Sequence, residues 1–195
     1  KNGQGVLDVS DIIWIDVDMM CGIEYEEFPA RIAEVAMWLI DHQMNMQISN
    51  EFGQYFARLP LKKSAKIVHG NALRVDWEEV VPKKALTHII GNPPFYGSRN
   101  QTKEQKEDTL FVFQNKINSG VLDYVSCWYY KASLYIEGTK IKVGFVSTNS
   151  ICQGVQVPTL WQLLINIEKN YIHFAHQTFG WSNEAKGNAA VYCVI

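Results

Sequence analysis

The chain has 195 residues, 47% of them hydrophobic and 19% charged, and its formal net charge is −2. That profile predicts one soluble globular domain with a sizeable core, and it excludes an overall basic field, so any DNA contact needs a local basic surface or parts outside this chain. No apolar run reaches membrane-spanning length, and the polar start Lys1 to Gly5 is no signal peptide, so a cytoplasmic protein is expected.

Residues Ile12 to Glu24 are rich in β-branched and apolar side chains, interrupted by Asp16 and Asp18, and read as one or two strands. Glu26 to Asn45 reads as a helix. Glu26 and Glu27 suit its N-terminus, Pro29 fits a first turn, and Ile32, Val35, Ala36 and Leu39 form an apolar face. Residues 46–64 look irregular. A short strand, Ala65 to His69, then runs into Gly70-Asn71-Ala72-Leu73, and an acidic segment from Asp76 to Pro82 follows. Strand, helix, strand, short segment, strand is the rhythm of a parallel α/β sheet.

The next strand begins at Leu86 and breaks into Gly91-Asn92-Pro93-Pro94-Phe95. Consecutive prolines fix φ near about −65° and lack N–H donors, so sheet pairing stops there and the chain emerges as a stiff ledge. The ledge offers an amide side chain, carbonyl oxygens with few competing N–H groups, and an aromatic ring. Such a set suits a planar exocyclic amine: the Asn92 oxygen and the Pro93 carbonyl each accept one N–H, and Phe95 stacks on the ring. Two acceptors out of the ring plane favour a tetrahedral nitrogen and hold the positive charge that grows as it attacks an electrophilic methyl. As a mere turn, Asn-Pro-Pro-aromatic should arise by chance in a chain this long on the order of a few times in a thousand.

Past the ledge, Tyr96 to Glu107 is polar and charged, with helical signal resuming only around Asp108, and predicts a mobile lid over the site. Val121 to Ile136 reads as a buried helix with an aromatic cluster at Trp128, Tyr129 and Tyr130. Lys140 to Thr148 reads as a strand, and Thr159 to Lys169 as a helix preceded by Pro158. Tyr171 to Thr178 and Ala189 to Ile195 read as antiparallel strands joined by a long turn from Phe179 to Asn188. Phe179 and Trp181 wall a target pocket or belong to the core.

In doubly wound sheets, an acidic residue at the end of the second strand takes the ribose hydroxyls of a nucleoside cofactor. Glu24 has that position, with Tyr25 able to lie along the adenine; the alternative is a glutamate that merely begins a helix. Asn71 ends the next strand and can meet the adenine edge, with Ala72 and Leu73 giving backbone and apolar contact, or it is a plain turn asparagine. His173 and His176 fall on opposite faces of a strand, so no metal site is expected. Nor is there a phosphate-cradling glycine motif. The cysteines Cys21, Cys127, Cys152 and Cys193 are widely spaced among mostly apolar neighbours and read as buried, reduced thiols.

These residues resemble the S-adenosylmethionine-dependent N6-adenine DNA methyltransferases, specifically the large bacterial methylases and fused restriction-modification proteins. The resemblance lies in Gly22-Ile23-Glu24 with the helix Glu27 to Ala36, in His69 to Leu73, and in Gly91 to Phe95. It continues through Leu122 to Ser126, Phe145 to Ser150, and Trp181 to Gly187. It implies a Rossmann-like class I methyltransferase sheet, mostly parallel with an antiparallel last strand, and a flipped target adenine stacked on the ledge of double-stranded DNA. Asn92, Pro93, Pro94 and Phe95 would be catalytic. Glu24 and Tyr25 with Asn71, Ala72 and Leu73 would bind S-adenosylmethionine, with no metal and no membrane.

Where the family often has Asp, this chain has Asn71. The family's glycine-rich first motif and central first strand are expected before residue 1, and the target-recognition domain after the C-terminus. Residues 1–195 are then a partial catalytic domain truncated at both ends, and weak or no activity is expected of it alone. The rival readings are a methyltransferase acting on another planar nitrogen, in a protein glutamine or an RNA base, and a noncatalytic nucleic-acid-binding fragment.

Overall fold

The computed structural model describes residues 13–53, 63–181 and 191–195, which gather into two compact units, Lys1–Val81 and Pro82–Ile195. In the first unit a 3-10 turn, Val17–Met19, leads into strand β1, Cys21–Glu24. Asp16, expected inside a strand, caps this turn. Its Oδ1 accepts the Val17 N–H at 2.8 Å, and its Oδ2 takes Lys63 Nζ at 2.8 Å. Asp18 shares the same ammonium at 3.0 Å. Short polar side chains that bond nearby backbone favour such turns over strand.

Helix α1 spans Glu27–Phe52, longer than the expected Glu26 to Asn45. Residues 46–52 contain neither proline nor glycine and continue the ladder, until Gly53 ends it in the left-handed conformation at φ 64°. The expected apolar face is not covered: Ile32, Val35 and Leu39 are 51%, 50% and 57% exposed, while Ala30, Asn45 and Ser49 are buried. A helix of this length runs about 39 Å, whereas a four-residue strand runs about 13 Å, so a narrow sheet leaves most of its flank open.

β1 pairs in parallel with β2, Lys66–His69, setting Cys21 opposite Lys66 and Glu24 opposite His69. With α1 between them this is a βαβ unit. The strands approach closely at Gly22, where a Cβ would lie 2.9 Å from Ile67 Cδ1 and would make that side chain shift. The acidic segment after β2 forms the short helix α2, Trp77–Val80, capped by the Asp76 carboxylate accepting the Glu78 N–H at 2.9 Å. Lys66 Nζ donates to the Glu79 and Val80 carbonyls at 3.1 and 2.6 Å, where the helix end favours a cation.

In the second unit β3, His88–Gly91, begins two residues later than expected. Helices α3, Lys103–Phe113, and α4, Ser126–Ile136, follow. β4, Lys142–Phe145, then pairs in parallel with β3 so that Gly91 faces Phe145. The single strand expected over Lys140 to Thr148 is two, split at Val146, whose N–H turns to the Gly91 carbonyl at 3.0 Å. Its second part is β5, Ser147–Thr148.

Helix α5, Gln156–Trp161, continues into a π-helical turn, Gln162–Ile167, so helix starts before the expected Thr159 and Pro158 sits within its first turn. The last strands are β6, Phe179–Trp181, and β7, Val191–Val194, in the antiparallel order β5-β7-β6. Tyr171 to Thr178 form no strand and stay exposed. β-Propensity reports fit to a half-covered pleated surface, and the pairing with β7 is taken by Phe179–Trp181 instead. The turn residues 182–188 expected between these strands fall outside the described residues.

The chain is thus mixed α/β, with two parallel pairs and antiparallel last strands. The described strands form three small sheets rather than the single sheet expected. Around α4, the second unit's core gathers Phe113, Leu122, Val125, Cys127, Tyr130, Leu160 and Cys193, each fully buried. Phe113 stacks on Tyr130 with centroids 5.0 Å apart. All four cysteines are free; Cys127 and Cys193 are buried, but Cys21 and Cys152 are exposed, contrary to the expectation of four buried thiols. Among the described residues no helix is long and apolar enough to cross a membrane.

Candidate active site

Each unit brings expected site residues to the carboxyl edge of a parallel strand pair. In the first unit Glu24 ends β1, with Tyr25 beyond it, and Asn71 and Ala72 follow β2 on the same edge. The Gly70 N–H donates to the Glu24 carbonyl at 2.8 Å, which fixes the two chain exits side by side. The Glu24 side chain is half-buried. One carboxylate oxygen accepts the Glu26 N–H at 3.2 Å, and the other has no partner among the described residues. Tyr25 is 66% exposed.

The turn after β2 is rigid for local reasons. Asn71 Oδ1 accepts the Leu73 N–H at 2.9 Å, the Asn71 carbonyl accepts the N–H groups of Arg74 and Val75, and the buried Trp77 donates Nε1 to the Ala72 carbonyl at 2.8 Å. The Leu73 side chain is fully buried and packs inside the unit. At this edge a carboxylate oxygen without a partner among the described residues precedes an exposed aromatic ring, a pair of groups that could meet the ribose and base of a nucleoside.

In the second unit β3 ends in the ledge. Asn92 and Pro94 are exposed, Pro93 is buried, and Phe95 is half-buried, so the buried proline anchors a strip whose amide and ring remain reachable. The Asn92 side chain makes no hydrogen bond with another described residue. Gly91 is demanded by the neighbouring strand: a Cβ there would meet Phe145 Cδ1 and Cε1, both at 3.3 Å. At the upstream end the Val146 N–H holds the Gly91 carbonyl, and at the downstream end the Tyr124 N–H holds the Tyr96 carbonyl at 2.8 Å.

The segment after the ledge, expected from its polarity to be a mobile lid, is tied to the second unit by hydrogen bonds and turns helical earlier than expected. The Ser98 N–H donates to Asp123 Oδ1 at 3.1 Å, and the buried Gln101 donates Nε2 to the Leu122 carbonyl at 3.0 Å. A capping box at Thr102, with its hydroxyl on the Gln105 N–H and the Gln105 side chain on the Thr102 N–H, starts α3 five residues before the expected Asp108. Hydrophilic composition marks a solvated face here, not a loose one.

The family model for the MmeI DNA-methyltransferase domain matches residues 4–195. The chain belongs to the MmeI DNA-methyltransferase domain family. DNA methyltransferase A of Bacillus subtilis (strain 168) is 41% identical over 184 residues, which is 93% of this chain and 21% of that protein. A solved structure of the Type IIL restriction-modification enzyme MmeI in complex with DNA superposes with a TM-score of 0.90 at 54% identity, over 100% of this chain and 26% of that one. The chain therefore spans between a fifth and about a quarter of the proteins it matches.

This member of the MmeI methyltransferase domain family holds a further set of residues beside the ledge that sequence reasoning passed over. Asp123, Ser150 and Gln156 are bonded together there, and with the exception of Ser150 they are buried. Asp123 lay within a recognised stretch, but inside the helix expected over Val121 to Ile136; the helix starts only at Ser126, which leaves Asp123 in the turn before it. Phe179 and Trp181 lie on β6 with centroids 6.3 Å apart, half-buried and exposed respectively. A cleft of about 590 Å³ lined by Lys83, Lys84, Lys140 and Lys142 opens at the amino ends of β3 and β4, the opposite end from the ledge.

Proposed function

We propose that this chain is the catalytic core of an S-adenosylmethionine-dependent methyltransferase that modifies the exocyclic N6 of a flipped adenine in double-stranded DNA, within a restriction-modification system. The observation that carries the reading is the ledge: an exposed, unbonded Asn92 amide and a reachable Phe95 ring, held between hydrogen-bonded anchors at Gly91 and Tyr96. Membership of a DNA-methyltransferase family supports the methyl-transfer part. The reaction is proposed for a protein of the relatives' length.

When bound, S-adenosylmethionine supplies an electrophilic methyl group on a sulfonium. Glu24 accepts hydrogen bonds from the ribose hydroxyls, Tyr25 lies along the cofactor adenine, and Asn71 with Ala72 borders its edge. Leu73 supports this turn from inside the unit rather than touching the ligand through its side chain. At the ledge, the Asn92 side-chain oxygen and the Pro93 carbonyl accept the two N–H bonds of the target amine, and Phe95 stacks on the base. Those acceptors draw the N6 lone pair out of conjugation. As the methyl passes from sulfur to N6 they would hold the positive charge that develops on the nitrogen, which would then release its extra proton to solvent. Pro93 and Pro94 leave the strip without N–H donors that would compete for the same acceptors.

The test is transfer of labelled methyl groups to duplex DNA by the full-length protein, with the product nucleosides resolved. Label in N6-methyladenine is the expected result. Label in protein glutamine or in RNA, with none in adenine, would end this assignment.

A further inference from the structure

The ledge owes its function to where its oxygens stand, yet its own prolines cannot donate a hydrogen bond to hold it. Its upstream end is tied to β4 through the Val146 N–H. Its downstream end needs an equivalent tie, and the groups available are the Tyr124 N–H and the side chain one residue earlier. Asp123 is 9% exposed and spends both carboxylate oxygens within the protein. Oδ1 accepts the Ser98 N–H at 3.1 Å, and Oδ2 accepts Gln156 Nε2 at 2.8 Å together with a short bond from the Ser150 hydroxyl. The Asp123 N–H in turn donates to Gln156 Oε1 at 3.0 Å, and Gln156 Nε2 also donates to the Ser150 carbonyl at 2.9 Å. One carboxylate thus joins the exit of the ledge, the start of α4, the turn after β5 and the first turn of α5.

We infer that Asp123 is a positioning residue for the methyl-transfer step, fixing the exit of the ledge through the Ser98 backbone while Ser150 and Gln156 fix Asp123. This rests on the assignment of the ledge to the target amine. The carboxylate touches neither substrate nor cofactor. It acts because a buried charged acceptor with several donors is a stiff node, and a displacement of about 1 Å at reacting groups costs on the order of a hundredfold in rate.

The experiment uses the full-length methyltransferase and reads kcat, KM for DNA, cofactor affinity by equilibrium binding, and the fluorescence of 2-aminopurine at the target position. Asp123→Ala should lower kcat by on the order of a hundredfold, leave cofactor affinity within about twofold, and change the fluorescence of the flipped base, because Phe95 moves with the ledge. Asp123→Asn keeps an acceptor for the Ser98 N–H and the Ser150 hydroxyl can turn to face the new amide, but the amide NH2 then opposes Gln156 Nε2, so only part of the rate returns. Ser98→Pro guards against a variant that fails to fold. It deletes one N–H and leaves the Asp123, Ser150 and Gln156 bonds in place, and Gly97 already has the extended ψ of 152° that a following proline requires. It should lower kcat about tenfold while the protein stays folded, with a melting temperature lowered by no more than the loss of one hydrogen bond.

If folded Asp123→Ala and Ser98→Pro proteins both keep wild-type kcat while Asn92→Ala loses it, the positioning role is wrong and the ledge assignment stands. If Asn92→Ala also keeps wild-type kcat, the ledge assignment itself fails.

Discussion

The oxygen of an asparagine side chain has two lone pairs, and at Asn92 no described residue uses either of them. An exposed amide contributes little to stability, so its substitution should separate chemistry from folding. Asn92→Ala in the full-length enzyme should reduce kcat by about 100- to 1,000-fold, the usual effect of deleting one group that stabilises transition-state charge, with the melting temperature and cofactor affinity unchanged. Equal losses in kcat and in cofactor affinity would place Asn92 elsewhere in the cycle. Leu73 makes the opposite case. It lies on the expected cofactor turn but is fully buried, so Leu73→Ala should cost about 2–5 kcal/mol of stability by leaving a cavity, seen as a lower denaturation midpoint.

Cys127 carries a pH signature at the same scale. Burial pushes its thiol up to about 12 from an ordinary 9.0, against a small opposing effect of its hydrogen bond to Thr109. Between those two values the unfolded chain has released a proton that the folded chain keeps, so stability falls as pH rises through that window, by at most about 1.4 kcal/mol per pH unit. Urea titrations from pH 9 upward should show this slope, and Cys127→Ala should flatten it. A thiol reagent near neutral pH should modify the exposed Cys21 and Cys152 while sparing Cys127.

At the scale of elements, the segment between ledge and α3 is held by a cap and by buried amides. Its charge count misleads because Gln101, the residue that pins it, is as polar as its neighbours but faces inward, bonded to the Leu122 carbonyl and to the Thr109 hydroxyl. The capping box at Thr102 is therefore a stability element: Thr102→Ala should cost about 1 kcal/mol, measured by denaturant unfolding, with little effect on methyl transfer. Helix α1 shows the reverse error. Its 3.6-residue pattern identifies the helix correctly, but pattern alone says nothing about what lies opposite, and Ile32, Val35 and Leu39 stay about half exposed.

For the whole molecule, a net charge of −2 gives no long-range attraction to DNA. Residues 1–195 alone should bind duplex DNA no more tightly than the general non-specific range of about 10⁻⁴ to 10⁻⁶ M at physiological salt, as fluorescence anisotropy would report. Nanomolar affinity for one sequence would contradict this and put recognition inside the chain.

The local sequence was enough for those features whose cause is local. Proline chemistry ends β3 at Gly91 and makes Asn92 to Phe95 a stiff strip, and the acid at the end of β1 stands on the same edge as the turn through Asn71 because a βαβ unit forces parallel strands into one register. Tertiary structure alone decided the rest. Whether Tyr171 to Thr178 or Phe179–Trp181 pairs with β7 depends on long-range partners: the first stretch reads as strand and the second as turn, yet it is the second that pairs. The network at Asp123 joins residues 25, 27 and 33 positions apart. A carboxylate that in sequence is one residue of an expected helix becomes the node behind the ledge only when folding buries it among donors from separate elements.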